Sequence, residues 1–82
     1  MIKMNMAPLN KILTVKSFAE DCVRELTEVE SRLMHLGFIH GQTVRITKKA
    51  PLFQEPLLVE VRGRLVALSS AEAKLIEVEV HP

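Results

Sequence analysis

Eighty-two residues make one compact domain with a small core. The chain is 48% hydrophobic, enough for a packed interior and far from a disordered composition. With 11 basic and 10 acidic residues the net charge is +1, too little excess for a dedicated nucleic-acid binder, which must neutralise many phosphates.

Residues 1–10 show no hydrophobic period and end in a Pro-Leu-Asn turn signal, so they are expected to form a flexible, extended or frayed arm. Leu13 to Phe18 opens the fold as a short strand or a turn of helix. Ala19-Glu20-Asp21 breaks it, and Cys22 to Leu26 is a further strand candidate. The clearest element is a helix from Glu28 to about Leu36. Thr27 and Glu30 form a T-x-x-E capping box, and Val29, Leu33 and Leu36 share one apolar stripe. Gly37 supplies a left-handed end residue, and Phe38 can fold back on Leu33 in a Schellman motif.

From Gly41 the period changes to two. Val44 and Ile46 alternate with Thr43, Arg45 and Thr47, as in a half-buried strand. Ala50 to Pro56 is a loop fenced by prolines. Leu57, Val59 and Val61 line one face of the next strand, Arg62-Gly63-Arg64 turns the chain, and Leu65 to Leu68 returns. Ser69 and Glu72 make a second capping box, opening a helical turn through Leu75. Ile76, Val78 and Val80 alternate in a last strand. Short strands with tight turns suggest a small barrel, which closes its edges on itself.

The run from Arg32 to Gly41, R-L-M-H-L-G-F-I-H-G, resembles the R-L-x-x-L-G-hydrophobic-x-x-G signature of FeoA-like domains (ferrous iron transport protein A). Ala50-Pro51-Leu52 with Pro56 resembles that family's A-P-L loop, and Arg62-Gly63, Val66 to Leu68, Glu72-Ala73 and Ile76 to Val78 resemble its closing strands. The similarity spans Arg32 to Val80. Three positions depart from it: Ala19-Glu20-Asp21 stands where a glycine is usual, Phe53-Gln54-Glu55 replaces a Gly-Asp pair, and His40 replaces a frequent proline.

The resemblance implies a mainly β fold. The expected form is a small SH3-like barrel of about five strands over residues 11–82, with one inserted helix at about 28–36 and a short helical turn at about 70–75. The same barrel forms the C-terminal domain of DtxR-type metal-dependent repressors; no winged-helix segment precedes it here, which favours the stand-alone transport protein. The implied function is a non-enzymatic accessory of ferrous iron uptake, acting on a membrane ferrous iron permease with a cytosolic G-domain (FeoB-type). The alternative is a nucleic-acid-binding small barrel or a stand-alone metalloregulator-type SH3-like domain.

Cys22 is the single cysteine, which excludes an intrachain disulfide and fits a reducing compartment. No run of about eighteen apolar residues is present to cross a bilayer, and the first thirteen residues lack a signal-peptide h-region. The expected localisation is therefore cytoplasmic, without membrane insertion.

Candidate metal ligands are Cys22, His35, His40, His81 and the methionines at Met1, Met4, Met6 and Met34, but no three have a recognisable ligand spacing. Gly37 ends the helix between His35 and His40, so they do not share a helical face. No metal and no cofactor are expected. Neither a nucleophile–base pairing nor a Gly-rich phosphate loop is visible, so no catalytic residue is assigned.

Arg45, Lys48, Lys49, Arg62 and Arg64 could align as a positive strip, either a solvated face or a contact for an acidic surface. They lack interleaved aromatics, so base stacking and nucleic-acid binding are not expected. Leu52 and Phe53 form an apolar pair in the proline-fenced loop, expensive to expose unless covered; one packs on the barrel and the other is left for a partner. The expected docking residues are Leu52 and Phe53 as anchors, with Arg62 and Arg64 as rim charges. Whether the chain forms a homo-oligomer is left open.

Overall fold

The computed structural model describes residues 1–18, 27–50 and 56–81. The alternating segments form six antiparallel strands in one sheet: β1 (Ile2–Lys3), β2 (Leu13–Phe18), β3 (Thr43–Lys49), β4 (Leu57–Val61), β5 (Arg64–Leu68) and β6 (Ile76–Val80), ordered β1-β6-β2-β3-β4-β5. Helix α1 covers Glu28–Leu36 and a single turn, α2, covers Ser70–Ala73. Inward residues at every second position build the core: Leu13 and Val15, Val44 and Ile46, Leu57, Val59 and Val61, Leu68, and Ile76 and Val78. The two end strands are not bonded to each other. Instead α2 touches both β5 and the 3-10 turn at Met4–Met6, spanning the gap between the ends of the sheet.

Strong local signals fix α1. The Thr27 hydroxyl accepts the Glu30 N–H at 3.1 Å, and the Glu30 carboxylate accepts the Thr27 N–H at 3.0 Å, so two orphan donors of the first turn are satisfied reciprocally. At the other end Gly37 is left-handed at φ 115°. Its N–H donates to Met34 O at 3.0 Å and the Phe38 N–H to Leu33 O at 3.0 Å, the two bonds of a Schellman motif. Thr27→Ala should destabilise the domain by about 0.5–2 kcal/mol, a loss of several degrees in a thermal melt; an unchanged melt would show that the box adds nothing.

The buried face of α1 differs from the expected stripe. Leu33 is fully buried, but Val29 is 38% exposed and Glu30 is 1% exposed. The capping box turns Glu30 inward onto the Thr27 backbone, and Val29, one residue earlier on the helix, faces out. The arm expected at residues 1–10 also differs. Ile2 and Lys3 pair with Val78 and Glu77, Met4 and Ala7 are core residues, and Asn10 at φ 59° donates its N–H to Ile46 O at 2.8 Å. The Lys49 ammonium holds this segment down by donating to the carbonyls of Asn5 at 3.3 Å and Ala7 at 3.0 Å. The strand candidate at Cys22 to Leu26 and the break before it lie outside the described residues.

Candidate interaction surface

A two-residue turn, Arg62-Gly63, joins β4 to β5 and pairs Val61 with Arg64. Both turn residues have positive φ, 51° and 76°, as a type I′ hairpin turn requires. Arginine is an uncommon occupant of such a position, and its side chain is in use. The Arg62 guanidinium lies across Gly37 at the end of α1, and its Nε donates to Gln42 Oε1 at 3.3 Å. Arg62 thus ties the hairpin to the helix end and to the loop before β3, while Arg64 is exposed. Neither arginine has a carboxylate partner among the described residues, so the hairpin tip carries two uncompensated positive charges. Leu52 and Phe53 lie outside the described residues.

Several of the remaining cations are held by carboxylates or carbonyls, and Arg45 shares a concavity with Arg62. Arg45 pairs with Glu60 across β3 and β4 at 3.2 Å, and Lys49 is turned to the carbonyls of the N-terminal segment. Arg32 pairs with Glu72, linking α1 to α2, and Lys16 lies 3.8 Å from Glu79. Exposed pairs of this kind contribute at most about 1 kcal/mol each.

Two shallow concavities flank the hairpin and α1. One, of about 280 Å³, is polar and is lined by Gln42, Thr43, Arg45, Glu60 and Arg62, with Ile12 as an apolar wall. The other, of about 310 Å³, is apolar and lies between β2 and the end of α1, with Phe18, Met34, Phe38 and Ile39 in its lining. Ser17 and His40 also line the apolar one, but His40 Nδ1 is committed to the Lys16 carbonyl and no hydrogen bond joins the imidazole to the Ser17 hydroxyl among the described residues.

The histidines are dispersed. His40 donates through Nδ1 to Lys16 O at 2.8 Å, His81 bonds the Thr14 hydroxyl, and His35 is exposed on α1. Among the described residues no three of His, Cys, Asp or Glu cluster as a metal site. Nor is any helix among them long and apolar enough to cross a membrane.

The exposed outer row of β5, where Leu65 is 61% exposed, was not singled out from sequence. Its signal was present in R-L-V-A-L, which lacks the proline or lysine that usually guards a sheet edge.

The FeoA domain family matches residues 2–80, nearly the whole chain. The chain belongs to the FeoA domain family. FeoA from Stenotrophomonas maltophilia, solved as a zinc complex and described as a prokaryotic SH3 domain protein, is 33% identical with a TM-score of 0.79, over 96% of this chain and 91% of that one. Iron(II) transport protein A from Clostridium thermocellum is 28% identical with a TM-score of 0.82, over 96% of this chain and 45% of that one. FeoA from Chlorobium tepidum is 28% identical with a TM-score of 0.80, over 96% and 70%.

The DtxR-type repressor ScaR, at 20% identity and a TM-score of 0.73 over 36% of its length, shares the fold. No curated protein sequence matches the chain. FeoA domains are non-enzymatic, and the SH3-like fold expected from sequence is the one present, with β1 as an additional strand.

Proposed function

We propose that this FeoA-domain protein is a non-enzymatic cytoplasmic accessory of ferrous iron uptake, binding a membrane ferrous iron permease with a cytosolic G-domain and regulating or scaffolding it. The observation that carries this reading is the family match along residues 2–80, joined to the likeness to a FeoA described as a candidate ferrous iron transport activating factor.

Docking falls to the proline-fenced loop and the hairpin tip. Leu52 and Phe53 act as apolar anchors, and the uncompensated Arg62 and Arg64 act as rim charges. Because Arg62 also holds Gln42, Arg64 is the cleaner probe of the rim.

The test is a titration of the permease's cytosolic domain with wild-type protein, Phe53→Ser and Arg64→Glu, each paired with a thermal melt. Phe53→Ser should leave the melt unchanged and weaken binding by about 2 kcal/mol or more, near thirtyfold in Kd. Arg64→Glu should act more weakly, through association rate and salt dependence. A Phe53→Ser protein that is strongly destabilised, or one that is stable and binds normally, removes the loop from the docking surface. No binding by the wild-type protein removes the permease reading itself.

A further inference from the structure

We propose that the outer edge of β5 is a strand-addition site, and that its occupant is an extended, acidic segment of a partner protein running antiparallel to β5. The hydrogen-bond parity of the hairpin sets up the edge. A two-residue turn makes Val61 and Arg64 a bonded pair, so the bonded pairs that follow are Val59 with Val66 and Leu57 with Leu68. Leu65 and Ala67, opposite Glu60 and Leu58, therefore turn their N–H and C=O groups away from β4. Neither has any other hydrogen bond among the described residues. Their side chains are exposed, Leu65 to 61%.

Elsewhere the sheet protects its edges. β1 is only two residues long. The stretch of β3 beyond its pairing with β2 is met by the Asn10 N–H on Ile46 O, and the open end of β2 by His40 on Lys16 O. β5 is five residues long, and although α2 touches it, none of these devices meets its outward Leu65 and Ala67 groups among the described residues; an open edge of this kind is a template for another strand.

Charge selects the occupant. Arg64 is exposed at one end of the edge and has no carboxylate partner among the described residues, while Arg62 is turned to Gln42 and Arg45 is already met by Glu60. An antiparallel segment brings its C-terminal end to that tip, so acidic residues there would meet the Arg64 guanidinium, and apolar residues before them would cover Leu65 and Ala67. A second copy fits less well. Two β5 strands paired about Val66 place Arg64 opposite Leu68 and offer no carboxylate. Five residues of edge also fall short of the roughly 1,200 Å² that a standing dimer buries.

The probes are two eight-residue peptides of alternating threonine and valine, one ending in two glutamates and the other in two lysines. They are titrated into the full chain with amide NMR and hydrogen exchange as readouts. The acidic peptide should shift and protect the Leu65 and Ala67 amides. The lysine peptide should bind several-fold more weakly at low salt, attraction to Arg64 being replaced by repulsion.

Ala67→Pro removes an outward N–H that the sheet does not use and should keep the fold while abolishing binding. Leu65→Lys is a second, independent block should the proline disturb the strand. Arg64→Glu should remove the preference for the acidic peptide. The proposal fails if the edge amides stay unprotected at the highest peptide concentration, if both peptides bind equally, or if Leu65→Lys binds like wild type. It fails too if sedimentation shows a dimer that Leu65→Lys dissolves, since a second copy would then own the edge. The assay contains no permease and leaves the loop at 50–56 unchanged, so its failure would not touch the iron-uptake reading.

Discussion

Gly37→Val is expected to lower the melting temperature by about ten degrees or more, for two separable reasons. Gly37 sits at φ 115°, a conformation that strains any residue with a β-carbon by about 1–3 kcal/mol, more when that carbon is branched. It is also crowded: a β-carbon there would lie 3.0 Å from Val61 Cγ2 and 3.2 Å from Arg62 Cδ. Val61 is a core residue and can hardly retreat, so overpacking adds a further 1–3 kcal/mol, roughly.

Gly41 is the internal control. It has φ 88° and nothing within 4 Å of a β-carbon, so Gly41→Val should show the conformational part alone. If both variants melt together, the contact of the helix end with the hairpin contributes nothing.

Met4→Ala should cost about 2–5 kcal/mol, the range for emptying a fully buried aliphatic site. Met4 is completely buried, in the 3-10 turn that touches α2 and β6. Met4→Leu, which nearly conserves volume, should cost under about 1.5 kcal/mol. Equal melts for Met4→Ala and wild type would mean that the segment peels from the barrel in solution, as a frayed arm would.

These two sites divide what the sequence could tell from what it could not. Around Gly37 the chemistry is local: a threonine cap, a glutamate three residues on, and a glycine followed by a phenylalanine leave one sensible geometry, and the structure has it. β3, β4 and β6 were equally legible, because each buries alternate residues and is long enough to show a period, whereas β5, with only Leu68 buried, was legible from the turn before it. Around Met4 no period exists to be read. A two-residue strand and a three-residue turn are shorter than any repeat, and their partners, Val78 and Lys49, lie far along the chain.

Val29 and Glu30 mislead for a different reason. Hydropathy ranks the valine as buried and the glutamate as solvated, but the capping bond reverses them. Of the docking residues, the exposed Arg64 was legible from its turn, but the internal commitment of Arg62 was not, since Gln42 is remote from it in sequence. The open β5 edge left only a faint trace in the sequence, the lack of a guarding proline or lysine in R-L-V-A-L, because unpaired backbone groups do not themselves alter composition.

The order of strands has a consequence for synthesis. β1 and β2 are made first, yet both lean on β6, nearly the whole chain length away. The β3-β4-β5 meander needs only its own neighbours. As the chain leaves the ribosome from its N-terminus, the meander can assemble with short loop closures. Until β6 emerges, β2 has only a two-pair bridge to β3, and Met4 has no strand to lie beside. The barrel is therefore sealed by its last strand, and its first residues must stay unburied on the nascent chain until that strand arrives.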